Sequence, residues 1–248
     1  GGKVPRGSQP PVVTPYFLWA GLKILCYMPA NFLHAQYCSF RPFGLIFAAV
    51  MEPKAERTRR HIIEKAAGLF NRKGYHGTSM SDIMQATGLA KGGLYGHFKS
   101  KDEIVAESFE HAFYRVMDAL ALRIKSKAVA FEKLEAILEF YSDFLEAPIV
   151  EGGCPILSYS GNNLEEVPMI GKLLAKATRT MLDSLVRILE KGKKYGQIRP
   201  EIDAEAYAEI IYSRIEGALA LAKATDDTSR LRRLLAALHQ DMQRDLLT

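Results

Sequence analysis

Lys91, Tyr95, His97 and Lys99 stand within nine residues of one another, interleaved with Gly92, Gly93 and Gly96. Two ammonium groups beside a phenol and an imidazole suit a polyanion, the cations meeting phosphates and the other side chains whatever lies between them. Just upstream, the hydroxyls of Thr78 and Ser79 precede an apolar helical pattern, where a phosphate can be hydrogen-bonded at a helix N-terminus. Arg60 and Met80 complete the candidate set. Other chemistries find less support. Lys91-Gly92-Gly93 lacks the Gly-x-x-x-x-Gly-Lys-Ser/Thr spacing of a phosphate-cradling loop. No Gly-x-Ser-x-Gly or His-Glu-x-x-His occurs, and Ser158-Tyr159-Ser160-Gly161 lacks the first glycine of a nucleophile elbow. His97 has no second His, Cys or acid at helical spacing to share a metal. Cys154 is the only thiol after residue 50, so no zinc set or disulfide framework can be built there. The expectation is a protein that is not an enzyme and uses no cofactor and no metal.

The elements that must position this cluster follow from periodicity. From Glu56 the apolar residues fall at Ile62, Ile63, Ala66, Ala67, Leu69 and Phe70, a helical stripe that predicts a first helix to about Lys73, before Gly74. Thr78 to Asp82 offers capping hydroxyls ahead of Ile83, Met84 and Ala86, which predicts a short second helix closed at Gly88. A third helix is expected over 91–97, with Leu94 and Phe98 turned inward and the charged residues outward. Ser100 and Glu103 form a capping-box pair that starts a fourth helix immediately afterwards. Two short helices joined by a tight glycine turn are the helix-turn-helix arrangement, whose second member enters the major groove of DNA.

The net charge of +5 supports this once it is located. Residues 51–101 hold ten lysines and arginines against four acids, whereas residues 102–248 hold 19 basic and 24 acidic side chains. A basic head therefore precedes an acidic body, as suits a DNA-binding head on a body that should not adhere to DNA. Residues 1–50 carry the remaining excess, Lys3, Arg6, Lys23 and Arg41, with no acid. Their opening resembles a protease-site scar from expression cloning, and Met51-Glu52-Pro53-Lys54 looks like a true start, so 1–50 reads as extension or translated upstream sequence outside the native fold. Its apolar runs, 16–28 and 43–50, fall short of the roughly 20 residues a membrane helix needs. A secretory signal there would export a DNA-binding head, so the cytoplasm is the expected compartment.

The string TSMSDIMQATGLAKGGLYGHFKSKDEI resembles the DNA-binding domain of the tetracycline-repressor (TetR) family along nearly its whole length. The match includes Leu69-Phe70, Gly74-Tyr75, Thr78-Ser79, Asp82-Ile83, Gly88-Leu89, Lys91-Gly92, Leu94-Tyr95, His97-Phe98 and Ser100-Lys101. The resemblance implies a homodimeric transcriptional regulator, a repressor released from a palindromic operator by a small-molecule or thiol-reactive inducer. Three departures stand out: Ala90 where a capping side chain is usual, Gly93 where Ser or Thr is, and Gly96 where a larger side chain is. Each glycine weakens an isolated helix by roughly 1 kcal/mol relative to alanine.

The body reads as all-α, helices being expected over about 101–127, 131–147, 155–163, 168–195, 203–224 and 228–247, which makes nine in all. The helix over 203–224 is apolar on more than one face and must be covered on several sides. The resemblance implies that the last two helices pair with a second subunit, the expected interface being Ile211, Ile215, Gly217, Ala218, Ala222, Leu235 and Leu238. The alternative is that this helix is the centre of a monomeric body. Helices five to seven place Phe140, Tyr141, Phe144, Tyr159, Met169, Leu173, Met181 and Leu185 where the family has its ligand pocket, which implies a small apolar or aromatic inducer. Such residues at helical spacing are also ordinary core. Cys154, near a helix start that favours the thiolate, is a candidate sensor of electrophiles or oxidants, or else a buried filler.

Overall fold

The computed structural model describes residues 53–161 and 167–247. Among these, nine α-helices and no strands occur: α1 Lys54–Lys73, α2 Met80–Thr87, α3 Lys91–Tyr95, α4 Lys101–Lys125, α5 Ala130–Ser142, α6 Pro155–Ser160, α7 Pro168–Lys194, α8 Ala204–Thr225 and α9 Thr228–Leu246. No described helix is long and apolar enough to cross a membrane. The readings made of residues 1–50 lie outside the described residues.

The apolar stripe of α1 closes over α2, α3 and α4, with Ile62, Phe70, Ile83, Leu94, Phe98 and Ile104 all at or below 1% exposure. α1 stops where Gly74 takes φ 70° and its N–H donates to the Phe70 carbonyl at 2.9 Å. Ser79 starts α2 through a full capping box: its hydroxyl accepts from the Asp82 N–H at 3.0 Å, and Asp82 accepts from the Ser79 N–H at 2.8 Å. Gly88 ends α2 in the left-handed conformation (φ 70°, ψ 15°), and Leu89 packs against the core. The box at Ser100 is incomplete. Ser100 accepts from Glu103 at 3.2 Å, but the Glu103 carboxylate takes the N–H of Lys99, at 2.8 Å, rather than that of Ser100.

Four helices are shorter than their periodicity suggests, α4 among them, ending at Lys125. α3 ends at Tyr95, although short-range bonds carry the chain on, Phe98 N–H reaching the Leu94 carbonyl at 3.1 Å. Ala90 provides no side-chain cap for α3, as its type predicts. α5 ends at Ser142, and Phe144 turns under it, its ring 5.5 Å from Phe140 and 5.4 Å from Tyr141. α6 ends at Ser160.

α4 packs on α1 at its start and on α5, α6 and α7 further along, so one continuous helix serves both head and body. A second connection crosses from α1 to the turn before α6. The amide of the buried Asn71 donates to the carbonyls of Glu151 and Gly153 at 3.1 and 2.9 Å, and Arg72 pairs with Glu151. Gly152 sits against Asn71 at φ 93°, so close that a Cβ would lie 2.8 Å from the Asn71 Cβ.

Candidate DNA-reading face and body groove

In the head, Leu94 and Phe98 are buried while Lys91, Gly92, Gly93, Tyr95, Gly96 and Lys99 are exposed and His97 is half-buried. α3 thus presents one continuous outward face. Its charge is not neutralised within the cluster: Lys91 lies over the Tyr95 ring at 5.9 Å, a cation–π pair that leaves the ammonium available to phosphate. Arg60 is half exposed, with Glu64 3.9 Å away, and Met80 is half-buried at the start of α2.

Thr78 and Ser79 play another part than expected. Thr78 is fully buried and donates to the Gly74 carbonyl at 2.8 Å, while the Ser79 hydroxyl donates to Asp82 at 2.5 Å within the capping box. Both hydroxyls shape the entry to α2: Thr78 from inside the head, and Ser79 at an exposed position where its hydroxyl is engaged by Asp82. The same bonds, together with Lys73 at 2.9 Å, hold the Asp82 carboxyl well below the usual carboxylate range.

Sequence reasoning missed Arg59. Its guanidinium lies 4.0 Å from the centre of the Phe98 ring and donates to Glu103 at 2.9 Å, to Glu107 at 3.1 Å and to the His97 carbonyl. It therefore binds α1, the end of the recognition segment and α4 into one piece. Partial burial works against its charge, but the hydrogen bonds and charges of Glu107 and Glu103 outweigh it and raise its pKa. On the other flank, Tyr75 donates to Asp102 and lies under Lys101 at 3.9 Å; burial and the Asp102 bond push the phenol up to about 12. Only the i, i+4 spacing of Glu103 and Glu107 hinted at a shared basic partner.

The glycines of α3 are not demanded by packing. A Cβ at Gly92 would meet nothing within 4 Å, and one at Gly93 would make ordinary contact with Leu89 at 3.7 Å. Gly93→Ala is accordingly expected to stabilise the unliganded protein by about 0.5–1 kcal/mol, read as a rise in denaturation midpoint. A fall in stability would mean that the helix needs the glycine.

In the body, the expected pocket residues are chiefly core. Phe140, Tyr141, Phe144, Tyr159, Met181 and Leu185 are all buried, with Phe140 to Tyr141 at 5.3 Å and Tyr159 edge-on to Phe109 at 5.0 Å. Met169 and Leu173 are half-buried, and Leu173 borders a crevice of about 10 Å³, room for one water. The large opening lies on another side of α7. A groove of about 630 Å³ runs between α6, α7 and α8, with Ile156, Ala175, Thr178, Leu182, Val186, Glu205 and Glu209 among its walls, and neither the eight expected pocket residues nor Cys154 lines it.

Cys154 is the N-cap residue of α6, 6% exposed, its Sγ 3.3 Å from a carboxylate oxygen of Glu216. Burial and the Glu216 charge push the thiol well above its ordinary pKa, outweighing the helix start. This is the reverse of an activated thiol. Alkylation by iodoacetamide at neutral pH should run more than about tenfold slower than for a free cysteine, since each pKa unit removes a factor of ten in thiolate. Mass spectrometry over time would measure it, and reaction at the free-cysteine rate would contradict this placement.

The expected dimer residues also change role. Ile211, Ile215, Ala218, Ala222, Leu235 and Leu238 are each 3% exposed or less within the single chain, where they form the seam of α8 with its own neighbours. An apolar pattern on several faces does not say which face meets which neighbour. Of the expected set only Gly217 is half-exposed.

Two family models match the chain: residues 62–108 fit "Bacterial regulatory proteins, tetR family", and residues 130–238 fit "Tetracyclin repressor-like, C-terminal domain". The structure of a TetR transcriptional regulator from Chloroflexus aurantiacus is 31% identical and superposes with a TM-score of 0.74, over 79% of this chain and 99% of that one. This chain belongs to the tetR family.

Among curated relatives, the fatty acid metabolism regulator protein of Bacillus subtilis is 28% identical over 62% of this chain and 78% of that protein. A transcriptional regulator from Saccharomonospora viridis, solved in complex with choline, shares the fold at 22% identity and a TM-score of 0.66, over 78% of this chain and 99% of that one. As a tetR-family member the protein is a DNA-binding transcriptional regulator and not an enzyme. Its helix-turn-helix is α2 and α3, and the face of α3 described above is the one left outward by the burial of Leu94 and Phe98.

Proposed function

We propose that this regulator is a cytoplasmic homodimeric repressor that holds a palindromic operator through residues 51–101 and releases it when a small molecule binds residues 102–248. The observation that carries the reading is the seam from α1 to the body: Asn71 grips the turn 151–153, and the next residue, Cys154, is inside the body against α8. A rearrangement around α6 is transmitted directly to α1, and through Arg59 to the recognition segment. Two heads that must fit half-sites about 34 Å apart lose their fit when their spacing shifts.

The dimer face belongs on the outward sides of α8 and α9. Ala206, Ile210, Ser213, Gly217, Leu221 and Ala224 recur every three or four residues along α8, all exposed or half-exposed and all small or apolar, beside Leu234 and Ala237 on α9. Such a stripe suits packing against its own copy about a two-fold axis. Substituting Ile210 and Leu221 by glutamate together is expected to give a monomer by sedimentation and to abolish operator binding while helical content stays unchanged. A double variant that remains dimeric would refute the assignment.

A further inference from the structure

Glu216 is a half-buried acid with no cation. Its carboxylate meets Cys154 at 3.3 Å, and no lysine, arginine or histidine among the described residues pairs with it. Tyr212, one helical turn earlier, is 8% exposed; its hydroxyl is turned toward Glu216 and toward Thr178 of α7, yet closes a hydrogen bond with neither. A buried hydroxyl without a partner is costly, and a carboxylate met by a thiol with no cation beside it is poorly compensated.

The groove between α6, α7 and α8 runs beside this pair, which stands behind its wall. Thr178, which the Tyr212 hydroxyl faces, is part of its wall, and so is Ile156, two residues beyond Cys154. Along α8 the positions 205, 209, 212 and 216 follow one another at spacings of four, three and four, which aligns Glu205, Glu209, Tyr212 and Glu216 on one side of the helix. Opposite them α7 offers Ala175, Leu182 and Val186, with Asp183 and a single cation, Arg179. The groove is thus apolar on one wall and acidic on the other, in a body of net negative charge. Its volume, about 630 Å³, falls in the range of small-molecule sites.

We propose that this groove is the inducer site and that its ligand is an organic cation with an apolar body, whose charged head pairs with Glu216 and accepts no help from any cationic residue. This rests on the reading of the protein as a ligand-released repressor. Carboxylates such as fatty acids are disfavoured by the same charges. Burial holds the Glu216 carboxyl above its ordinary pKa, against the Cys154 hydrogen bond and the nearby Tyr212 hydroxyl, which lower it. The groups facing it are Cys154 at the start of α6, Tyr141 on α5 and Tyr212 on α8 itself. None is cationic, so an arriving cation meets no like charge beside Glu216 and favours its carboxylate form.

The test is calorimetry on the full chain with three probes of one tail length: hexyltrimethylammonium, hexan-1-ol and hexanoate. The cation is expected to bind at least about tenfold more tightly than either of the others, a difference of about 1.4 kcal/mol. Glu216→Gln should erase the preference, and Tyr212→Phe, which keeps the ring, should weaken it less. Equal or tighter binding of the alcohol or the carboxylate, absence of cation binding, or an unchanged preference in Glu216→Gln would overturn the proposal. Operator binding is followed with each probe. Release by hexanol or hexanoate overturns the cation site while leaving the ligand-released repressor standing; a probe that binds the body and leaves operator affinity unmoved counts against the repressor reading itself.

Discussion

Gly152→Ala is expected to destabilise the folded chain by about 3–5 kcal/mol, lowering the melting midpoint by about 10 °C. Gly152 occupies φ 93°, where a side chain costs of order 1–3 kcal/mol. The new Cβ would also sit 2.8 Å from the Cβ of Asn71 and 2.9 Å from its carbonyl carbon, atoms of a helix that cannot move alone. Relieving the clash means surrendering the bonds from Asn71 to Glu151 and Gly153, which leaves a buried amide unsatisfied at a further cost of about 1–3 kcal/mol. Gly153→Ala provides the control: it too has a positive φ, of 89°, but its Cβ would meet only Leu145 at 3.9 Å, so it carries the backbone strain without the clash. Thermal unfolding of the two variants side by side measures the close approach. Equal losses would mean that α1 and the turn are not in contact as described.

Arg59→Ala is expected to cost about 1–3 kcal/mol and to lower operator affinity by at least about tenfold. The figure for stability sits at the range of a charged hydrogen bond rather than the sum of several, because about a third of the side chain is exposed and solvent screens it. The loss in affinity comes from position, not charge. Without the guanidinium, nothing joins the His97 carbonyl to Glu103 and Glu107, and the recognition segment is free to shift against α4. Arg60→Ala removes a charge at the neighbouring position without touching that joint, so it should reduce the salt dependence of binding by about one unit of slope and leave stability nearly unchanged. If Arg59→Ala and Arg60→Ala behave alike, Arg59 is a phosphate contact and not a brace.

These two residues mark where the sequence is legible and where it is not. The apolar stripes of α1, α4 and α8 show in the residue pattern because 3.6-residue spacing is imposed by the helix itself, and the ends at Gly74 and Gly88 show because only particular residues take those backbone angles. Partners across the fold leave no such periodic trace. Nothing between residues 59 and 103 announces that Arg59 reaches Glu103, nor that Asn71 reaches residues 151 and 153. The same blindness reversed the reading of Thr78, whose hydroxyl looks available but is fully buried and bonded to the Gly74 carbonyl. It also confused two faces of α8. Ile211 and Ile215 are as apolar as Ile210 and Leu221, and only the packed structure shows the first pair inside the chain and the second outside. The groove was hidden for a related reason: aromatic residues attract attention as pocket lining, while here they fill the core and the opening is walled by small aliphatic and acidic side chains.

The central claim is that the outward face of α3 meets DNA phosphates. The most direct measurement is the affinity of the full chain for the intergenic DNA upstream of its own gene, across a series of salt concentrations, for the natural protein and for Lys91→Ala and Lys99→Ala. The expected result is a linear fall of log affinity with log salt, and a slope shallower by about one for each lysine removed. Absence of binding at low salt, or slopes that the two substitutions leave unchanged, would contradict it.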